Sequence, residues 1–177
     1  MVLSQVNKYN TFGKRFWAGM IDALVFIPIE ILDSVLGDPN DPTQYMIYQT
    51  SYIVLYTLYV VIGHGQYGQT LGKKAMGLKV LDISETKLIG YGRAFLRESI
   101  WFFFSASVII YMLISMNREM GITPQEIMNS EFNFYFPLAW FVIEIFTTLT
   151  NKKYRALHDY IAGSVVIRLD AKETAVS

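Results

Sequence analysis

The chain of 177 residues contains no cysteine and two histidines, and 17% of its residues are charged. The lack of cysteine excludes disulfide bonds, thiolate catalysis and zinc–thiolate sites, and two imidazoles are too few for a three-histidine metal site. The 15 basic and 15 acidic residues give a formal net charge of zero, so the overall charge does not favour a nucleic-acid partner, which needs a clustered cationic surface. The charged fraction is below the ~25% of soluble domains, while 53% of the residues are hydrophobic. This composition is typical of a membrane protein.

Four hydrophobic segments are long enough to span the hydrocarbon core, which takes roughly 17–25 mostly apolar residues in a helix. They are Phe16–Leu36, Tyr45–Ile62, Ile100–Met116 and Phe132–Leu149. Each segment is bounded by charged or turn-forming residues, as at 38–42 and 151–153. We therefore predict an all-α membrane protein whose single domain, residues 1–177, is a bundle of four transmembrane helices.

The basic residues lie almost entirely on one side of these four segments. Of the 15 lysines and arginines, Arg118 alone lies in the loops that join the first segment to the second and the third to the fourth. Lys and Arg accumulate in cytoplasmic loops, so we predict that both termini, the loop 63–94 and the segment 150–177 are cytoplasmic. A plasma membrane location is expected, which in a bacterium is the inner membrane. Lys73, Lys74 and Lys79 in the loop are predicted to face the lipid headgroups.

The cytoplasmic parts contain two short strand-like segments. Leu78–Ile83 alternates in polarity, and Ile161–Leu169 is apolar and rich in β-branched residues. These patterns are typical of strands, so we predict a small strand pair beneath the bundle.

Ionisable residues inside the predicted spans are informative, because each costs at least ~2.5–3.5 kcal/mol at a helix centre. At ~100° per residue, Arg15 and Asp22 share one face of the first helix. Glu144, on the fourth helix, lies at the same predicted depth as Asp22, and Arg97 and Glu98 open the third helix at the cytoplasmic level. We therefore predict one polar cluster that contains Arg15, Asp22, Arg97, Glu98 and Glu144.

This cluster has two interpretations, and the sequence leaves both open. Two neighbouring carboxylates such as Asp22 and Glu144 can exchange a proton in a low dielectric, which would suit proton or cation transport. Alternatively, Arg15 and Arg97 neutralise the acids and fix the packing of the helices.

Five tyrosines lie on one face of the second helix, and they also have two interpretations. A tyrosine stripe through the whole bilayer depth serves either as a packing seam with hydroxyls bonded between helices or as the amphipathic wall of a ligand cleft. The tyrosines are Tyr45, Tyr48, Tyr52, Tyr56 and Tyr59.

No motif in the chain supports an enzyme. Residues 63–68 fit the pattern G-x-G-x-x-G, but they follow a membrane-length helix, whereas a dinucleotide-binding loop follows a strand. No nucleophile–base pair occurs in a recognisable context. We expect no enzymatic activity, no cofactor and no metal site.

Three motifs in order resemble the RDD family of small bacterial and archaeal membrane proteins, which is named for an arginine and two aspartates. Arg15 and Asp22 match the family pattern in residues 12–22, and residues 68–80 are similar to its cytoplasmic segment. Residues 157–166 resemble its closing motif, which puts the second aspartate at Asp159. The resemblance covers roughly residues 12–167 and implies a small polytopic membrane protein. For this family, transport of unidentified ligands is a common expectation, and some members are linked to sodium–proton exchange.

Two functional hypotheses follow. In the first, the chain transports a small cation or a proton-coupled solute through the carboxylate cluster, with Asp159 as a cytoplasmic relay or gate and His158 beside it as a group that titrates near neutral pH. Four short helices form a narrow bundle, so a homo-oligomer would supply the pathway. In the second, the chain is a non-transporting scaffold or accessory subunit in which Arg15 and Asp22 pair structurally. The expected partners are the lipid bilayer and small cations or protons, without nucleic acid.

Overall fold

The computed structural model describes residues 8–36, 41–117, 126–127 and 129–169. The described chain is mostly helical, with a small two-stranded sheet near one end of the long helices. The long helices are α1 (Phe12–Leu36), α2 (Pro42–Ile62), α4 (Gly90–Asn117) and α5 (Glu131–Leu149). The short elements are the helices α3 (Leu71–Ala75) and α6 (Leu157–Ile161) and the strands β1 (Leu78–Asp82) and β2 (Ser164–Arg168). A π-helical turn, Gly63–Tyr67, continues α2.

Three of the helices in the described ranges are long and apolar enough to cross a membrane. They are Pro42–Tyr67, which joins α2 to its π-helical turn, Gly90–Asn117 and Glu131–Leu149. Large apolar side chains are exposed along the long helices. Soluble domains rarely expose so much apolar surface, whereas helices in contact with lipid do. The prediction of a membrane protein built from apolar helices is therefore confirmed at this level.

Helix α1 differs from these three because it carries many charges. Its 25 residues are enough to span the hydrocarbon core, but they include Lys14, Arg15, Asp22, Glu30 and Asp33. The fourth span thus stays a prediction. So does the side on which the termini lie, and Arg118 and the segment from residue 170 onward lie outside the described residues.

The predicted strand pair is present. Strands β1 and β2 run antiparallel, with Val80 opposite Val166 and Asp82 opposite Ser164. The centre of each strand is buried because one face of the sheet packs on Ala18 of α1 and Ala94 of α4, while Tyr9 covers the other face. The best-buried apolar core of the chain therefore lies at this sheet, outside the long apolar stretches of the helices.

The same local structure precedes both strands. Each strand follows a five-residue helix, its C-cap residue and a glycine, which is Gly77 before β1 and Gly163 before β2. These glycines have φ values of 64° and 60°, in the left-handed region that glycine adopts without steric cost. Each glycine reverses the chain at the end of its helix and sends it into the sheet.

Helix α4 begins at Gly90, earlier than the predicted Ile100, and the predicted loop 63–94 contains α3 and β1. The first part of α4 is too polar to be recognised by hydropathy, but its inner face is buried at Ala94, Arg97 and Ser99. Arg97 and Glu98 consequently lie inside the helix instead of opening it.

An ionic cluster on Glu85 joins the N-terminal residues to the turn after β1. The Glu85 carboxylate accepts from Lys8 Nζ at 2.5 Å, the Tyr9 hydroxyl at 2.5 Å and Lys153 Nζ at 2.8 Å. Burial alone would raise the pKa of Glu85, but these donors lower it to about 2.

We expect Gly72→Ala to loosen the contact between α1 and α3. A Cβ at this position would lie 2.0 Å from the carbonyl oxygen of Ala18 and 2.9 Å from Cγ of Asp22, so the helices must move apart. Overpacking of this kind costs about 1–3 kcal/mol or more, which thermal unfolding in detergent would measure. The matched control is Gly19→Ala on α1, where a Cβ meets nothing within 4 Å and alanine favours the helix by up to ~1 kcal/mol. Equal stability of the two variants would contradict the close contact.

We also expect the Glu85 cluster to weaken in acid. The pKa of Glu85 is about 2 in the folded chain, against 4.5 for an unperturbed glutamate. The lowered pKa stabilises the fold at pH values above 4.5, and this stabilisation is lost as the pH falls from 4.5 toward 2. Amide exchange of residues 8–15 should be slower in the native protein than in Glu85→Gln at pH 6. That difference should shrink progressively between pH 4.5 and 2.5. A difference that is independent of pH would contradict the assignment, and Glu131→Gln, an exposed acid, serves as the control.

Candidate functional site

Asp159 is fully buried and lies in the first turn of α6, where four donors surround its carboxylate. Oδ2 accepts from Arg15 Nη1 at 2.6 Å and from the backbone nitrogen of Ala156 at 3.1 Å. Oδ1 accepts from Arg97 and from Ser164 Oγ at 3.0 Å. Burial alone would raise the pKa of Asp159, but the positive charges of Arg15 and Arg97 hold it well below its usual range. One carboxylate thus joins α1, α4, α6 and β2.

A second acid, Glu144 of α5, is connected to this cluster through His158. Its Oε2 lies 2.7 Å from His158 Nδ1, and its Oε1 accepts from the His158 backbone nitrogen at 3.2 Å. The other ring nitrogen, Nε2, lies 2.8 Å from Arg97 Nη2. A guanidinium can only donate, so Nε2 is the acceptor, and in the neutral imidazole the proton is on Nδ1, which faces Glu144. Five of the seven predicted site residues are therefore together: Arg15, Arg97, Glu144, His158 and Asp159.

Asp22 is not part of this group and has its own partners. Its Oδ1 accepts from the Tyr59 hydroxyl at 2.6 Å and from Gly72 N at 2.7 Å, and Oδ2 accepts from Thr70 Oγ at 2.6 Å. The Gly72 donor belongs to the first turn of α3, so Asp22 places a negative charge at that helix N-terminus. The predicted grouping of Asp22 with Arg15 and Glu144 is wrong, because Arg15 binds Asp159 and Glu144 contacts His158.

Thr70 and Gly72, two of the partners of Asp22, were not among the predicted site residues. The signal was local: a threonine followed by a short helical segment is a typical N-cap, and Thr70 Oγ does accept from Lys73 N at 3.4 Å. Tyr59 was recognised as part of the tyrosine stripe, although its carboxylate partner was not.

The three lysines predicted to face headgroups lie in different surroundings. Lys74 on α3 is exposed, and Lys79 on β1 is half-buried. Burial and the Arg97 charge lower the pKa of Lys73 to about 8, against the opposing effect of Asp22 and Glu98. Contact with lipid headgroups stays a prediction for all three.

The remaining predicted site residue, Glu98, lines a cavity of about 490 Å³ between α2, α4 and α5. The cavity wall contains Tyr52 and Tyr56 of the tyrosine stripe and Trp101 of α4. In the described part of the chain, no hydrogen bond uses the Glu98 carboxylate. Among the described Lys, Arg and His residues, His64 alone has a side-chain nitrogen within 4.0 Å of this carboxylate, with Nδ1 at 3.9 Å from Glu98 Oε1.

His64 was not among the predicted site residues. It lies in the π-helical turn that continues α2 and is 1% exposed. Neither ring nitrogen has a hydrogen-bond partner among the described residues, which is unusual for a buried polar group. Single-turn π-helices often occur at functional sites. A histidine placed just after an apolar span was the only sequence signal.

No three His, Asp or Glu side chains are grouped as metal ligands within the described ranges. The charged groups therefore form two different kinds of site. Asp22 and Asp159 are surrounded by fixed donors, whereas Glu98 faces a cavity with no hydrogen bond to the described protein.

Comparison with known proteins agrees with the motifs. The RDD family model matches residues 9–163. The chain is 25% identical over 116 residues to the uncharacterized membrane protein YteJ of Bacillus subtilis (strain 168), a match that covers 62% of this chain and 71% of that protein. No solved structure matches the chain.

We expect Asp159→Asn to destabilise the protein by about 3–5 kcal/mol, because removing one partner of a buried ion pair leaves the arginines uncompensated. Unfolding in mixed micelles by increasing denaturant would measure this loss. The matched control is Asp33→Asn on α1, a half-buried acid with no hydrogen bond among the described residues, which should cost less than about 0.5 kcal/mol. An Asp159→Asn variant as stable as this control would contradict the structural role.

Proposed function

The chain belongs to the RDD family, and from this premise we propose that it transports a small cation or a protonated solute, with Glu98 as the acid that binds it. The observation that carries the proposal is the Glu98 carboxylate, which faces the cavity between the three apolar helices and accepts no hydrogen bond from described residues. Because no described residue donates a hydrogen bond to this carboxylate, its oxygens are available to bind a cation from the cavity.

The other buried acids are less suited to this role. A transport site must gain and lose its cation, and a carboxylate that already accepts three or four fixed hydrogen bonds has few free lone pairs for a ligand. Asp22 and Asp159 are in this situation. We propose that these two acids hold the helices together and that Glu98 binds the transported species.

His64 provides the proposed proton carrier. A histidine ring nitrogen without a hydrogen-bond partner can accept a proton. Its Nδ1 faces Glu98 at 3.9 Å, and both ring nitrogens lack protein partners among the described residues. Cation binding at Glu98 and proton binding at His64 would oppose each other through their charges, and this opposition is the proposed coupling.

The membrane topology of the proposal has four spans. Helix α1 would be the additional one, because the Arg15 and Asp22 charges that make it polar are compensated by Asp159, Tyr59 and Thr70. Both termini would be cytoplasmic and the membrane would be the plasma membrane, as the distribution of Lys and Arg favours. Lys73, Lys74 and Lys79 would lie near the cytoplasmic headgroups, and association of several copies would complete the pathway.

The experiment is ion flux in proteoliposomes that contain the purified protein and an imposed pH gradient. We expect an added cation, either sodium or a small organic ammonium ion, to collapse the gradient, and we expect Glu98→Gln to reduce the rate at least about tenfold. Glu131→Gln, an exposed acid at the start of α5, is the control and should keep the native rate.

Asp22→Asn separates transport from folding. It should lower the thermal stability, because an amide cannot accept from all three donors, while the fraction that folds should still transport. Native flux in the Glu98→Gln protein would contradict the proposed site.

A scaffold or accessory role is the second candidate, and one observation favours it. The carboxylates of Asp22 and Asp159 are satisfied within the protein, as purely structural charges would be. Well-folded protein without flux for several cations would support this candidate against transport.

A further inference from the structure

We infer that the cavity at Glu98 takes an organic ammonium cation with an apolar alkyl or aryl body. The inference rests on the proposed function in one respect: it assigns a ligand class to the same site. It uses the size of the cavity, its walls and the polar groups at its two ends.

The cavity is too large for a bare metal ion. Its volume is about 490 Å³, within the range of about 300–1,000 Å³ that small-molecule sites occupy, whereas one water takes about 30 Å³. On α4 its lining runs from Glu98 to Met112, a distance of about 21 Å at 1.5 Å per residue. An elongated space of this size fits a molecule with an extended body.

The wall nearest Glu98 is aromatic. Trp101 is one helical turn beyond Glu98, and Tyr52 and Tyr56 line the wall from α2. Phe104 is held in place by stacking on Phe136, with ring centroids 4.2 Å apart. Tryptophan and tyrosine faces attract organic cations, and aromatic cages recognise quaternary ammonium groups.

The cavity lining offers few anionic oxygen ligands to a hard metal cation, since its other side-chain oxygens belong to hydroxyls and amides. Calcium takes six to eight oxygens, and magnesium needs a near-octahedral set of them, but the cavity lining contains one carboxylate, Glu98. An ammonium group needs less: one carboxylate as counter-ion and aromatic faces around its alkyl groups.

Glu98 is also available to a ligand. No Lys or Arg nitrogen of the described residues lies within 4.0 Å of its carboxylate, and His64 Nδ1, at 3.9 Å, is its only contact of that kind. Arg97 binds Asp159 and His158, and the Lys73 nitrogen, whose charge also interacts with that of Glu98, lies more than 4.0 Å from the Glu98 carboxylate. A ligand cation therefore has no protein cation to displace from Glu98.

The end of the cavity away from Glu98 carries the amides of Gln49 and Asn133. Asn133 Nδ2 donates to the Ile127 carbonyl at 2.5 Å, while its Oδ1 is buried with no partner among the described residues. Gln49 is about 10 Å from the level of Tyr56 along α2. A ligand with an ammonium at Glu98 and a hydroxyl or amide donor about 10 Å away would satisfy both ends.

The experiment is equilibrium binding of radiolabelled phenyltrimethylammonium to the purified full-length protein in detergent, by scintillation proximity. We expect saturable binding that Glu98→Gln weakens more than about tenfold. Trp101→Leu should weaken it roughly 3- to 30-fold, the range expected for a cation–π contact. Glu131→Gln should bind as the native protein does. The Trp101 variant keeps the Glu98 carboxylate, so it tests the site even if Glu98→Gln folds poorly.

Three outcomes would overturn the inference. One is no saturable binding to folded protein. Another is equal binding by native and Glu98→Gln protein, which would indicate partitioning into the micelle. The third is displacement of the probe by sodium at concentrations where choline has no effect, which would indicate a metal-ion site.

The binding and flux experiments test the two proposals separately. Probe binding without cation flux would contradict the proposed transport alone. Cation flux without probe binding would contradict the ligand class alone.

Discussion

The buried ion cluster at Asp159 is the interaction on which the rest of the structure depends. Two arginines from different long helices would each be costly to bury alone, and one carboxylate with no exposed surface accepts hydrogen bonds from both. Because Asp159 belongs to the short helix before β2, the same contact fixes the sheet against the helices. The apolar parts of the long helices are more exposed, and most of the described residues with the least exposure lie around this cluster and the strands.

The acids of the chain differ in how completely the protein satisfies them. The carboxylates of Asp22 and Asp159 each lie at the N-terminus of a five-residue helix, α3 and α6 respectively. Both accept hydrogen bonds from backbone and side-chain donors. Each of these helices leads through a left-handed glycine into one of the paired strands. The two aspartates thus stabilise equivalent positions in two similar helix–glycine–strand units, although one carboxylate comes from α1 and the other from within its own unit. Glu98 has no such set of donors among the described residues. Its carboxylate is therefore available to a ligand, whereas the carboxylates of Asp22 and Asp159 are occupied by contacts within the protein.

Much of this arrangement is predictable from the sequence, and the exceptions have physical causes. The apolar helices, the strand pair and the gathering of Arg15, Arg97 and Glu144 follow from hydropathy and helical periodicity. The partner of Arg15 does not, because Asp22 is two turns away on the same face while Asp159 is distant in sequence, and periodicity describes a single helix only. The early start of α4 escapes hydropathy because its first turns bury polar side chains against the sheet. The cavity cannot be derived from one chain segment, since its volume depends on how α2, α4 and α5 pack.

The long sequence separation within the Asp159 cluster has a consequence for biosynthesis. Arg15 and Arg97 precede their common counter-ion by 144 and 62 positions, so both arginines are synthesised and delivered to the membrane before it exists. The strand that completes the sheet, β2, emerges later still. Until Asp159 is synthesised, the contacts of Asp22 with Tyr59, Thr70 and Gly72 can form, whereas those of Arg15 and Arg97 with Asp159 cannot. Assembly of this protein is completed from its C-terminal end.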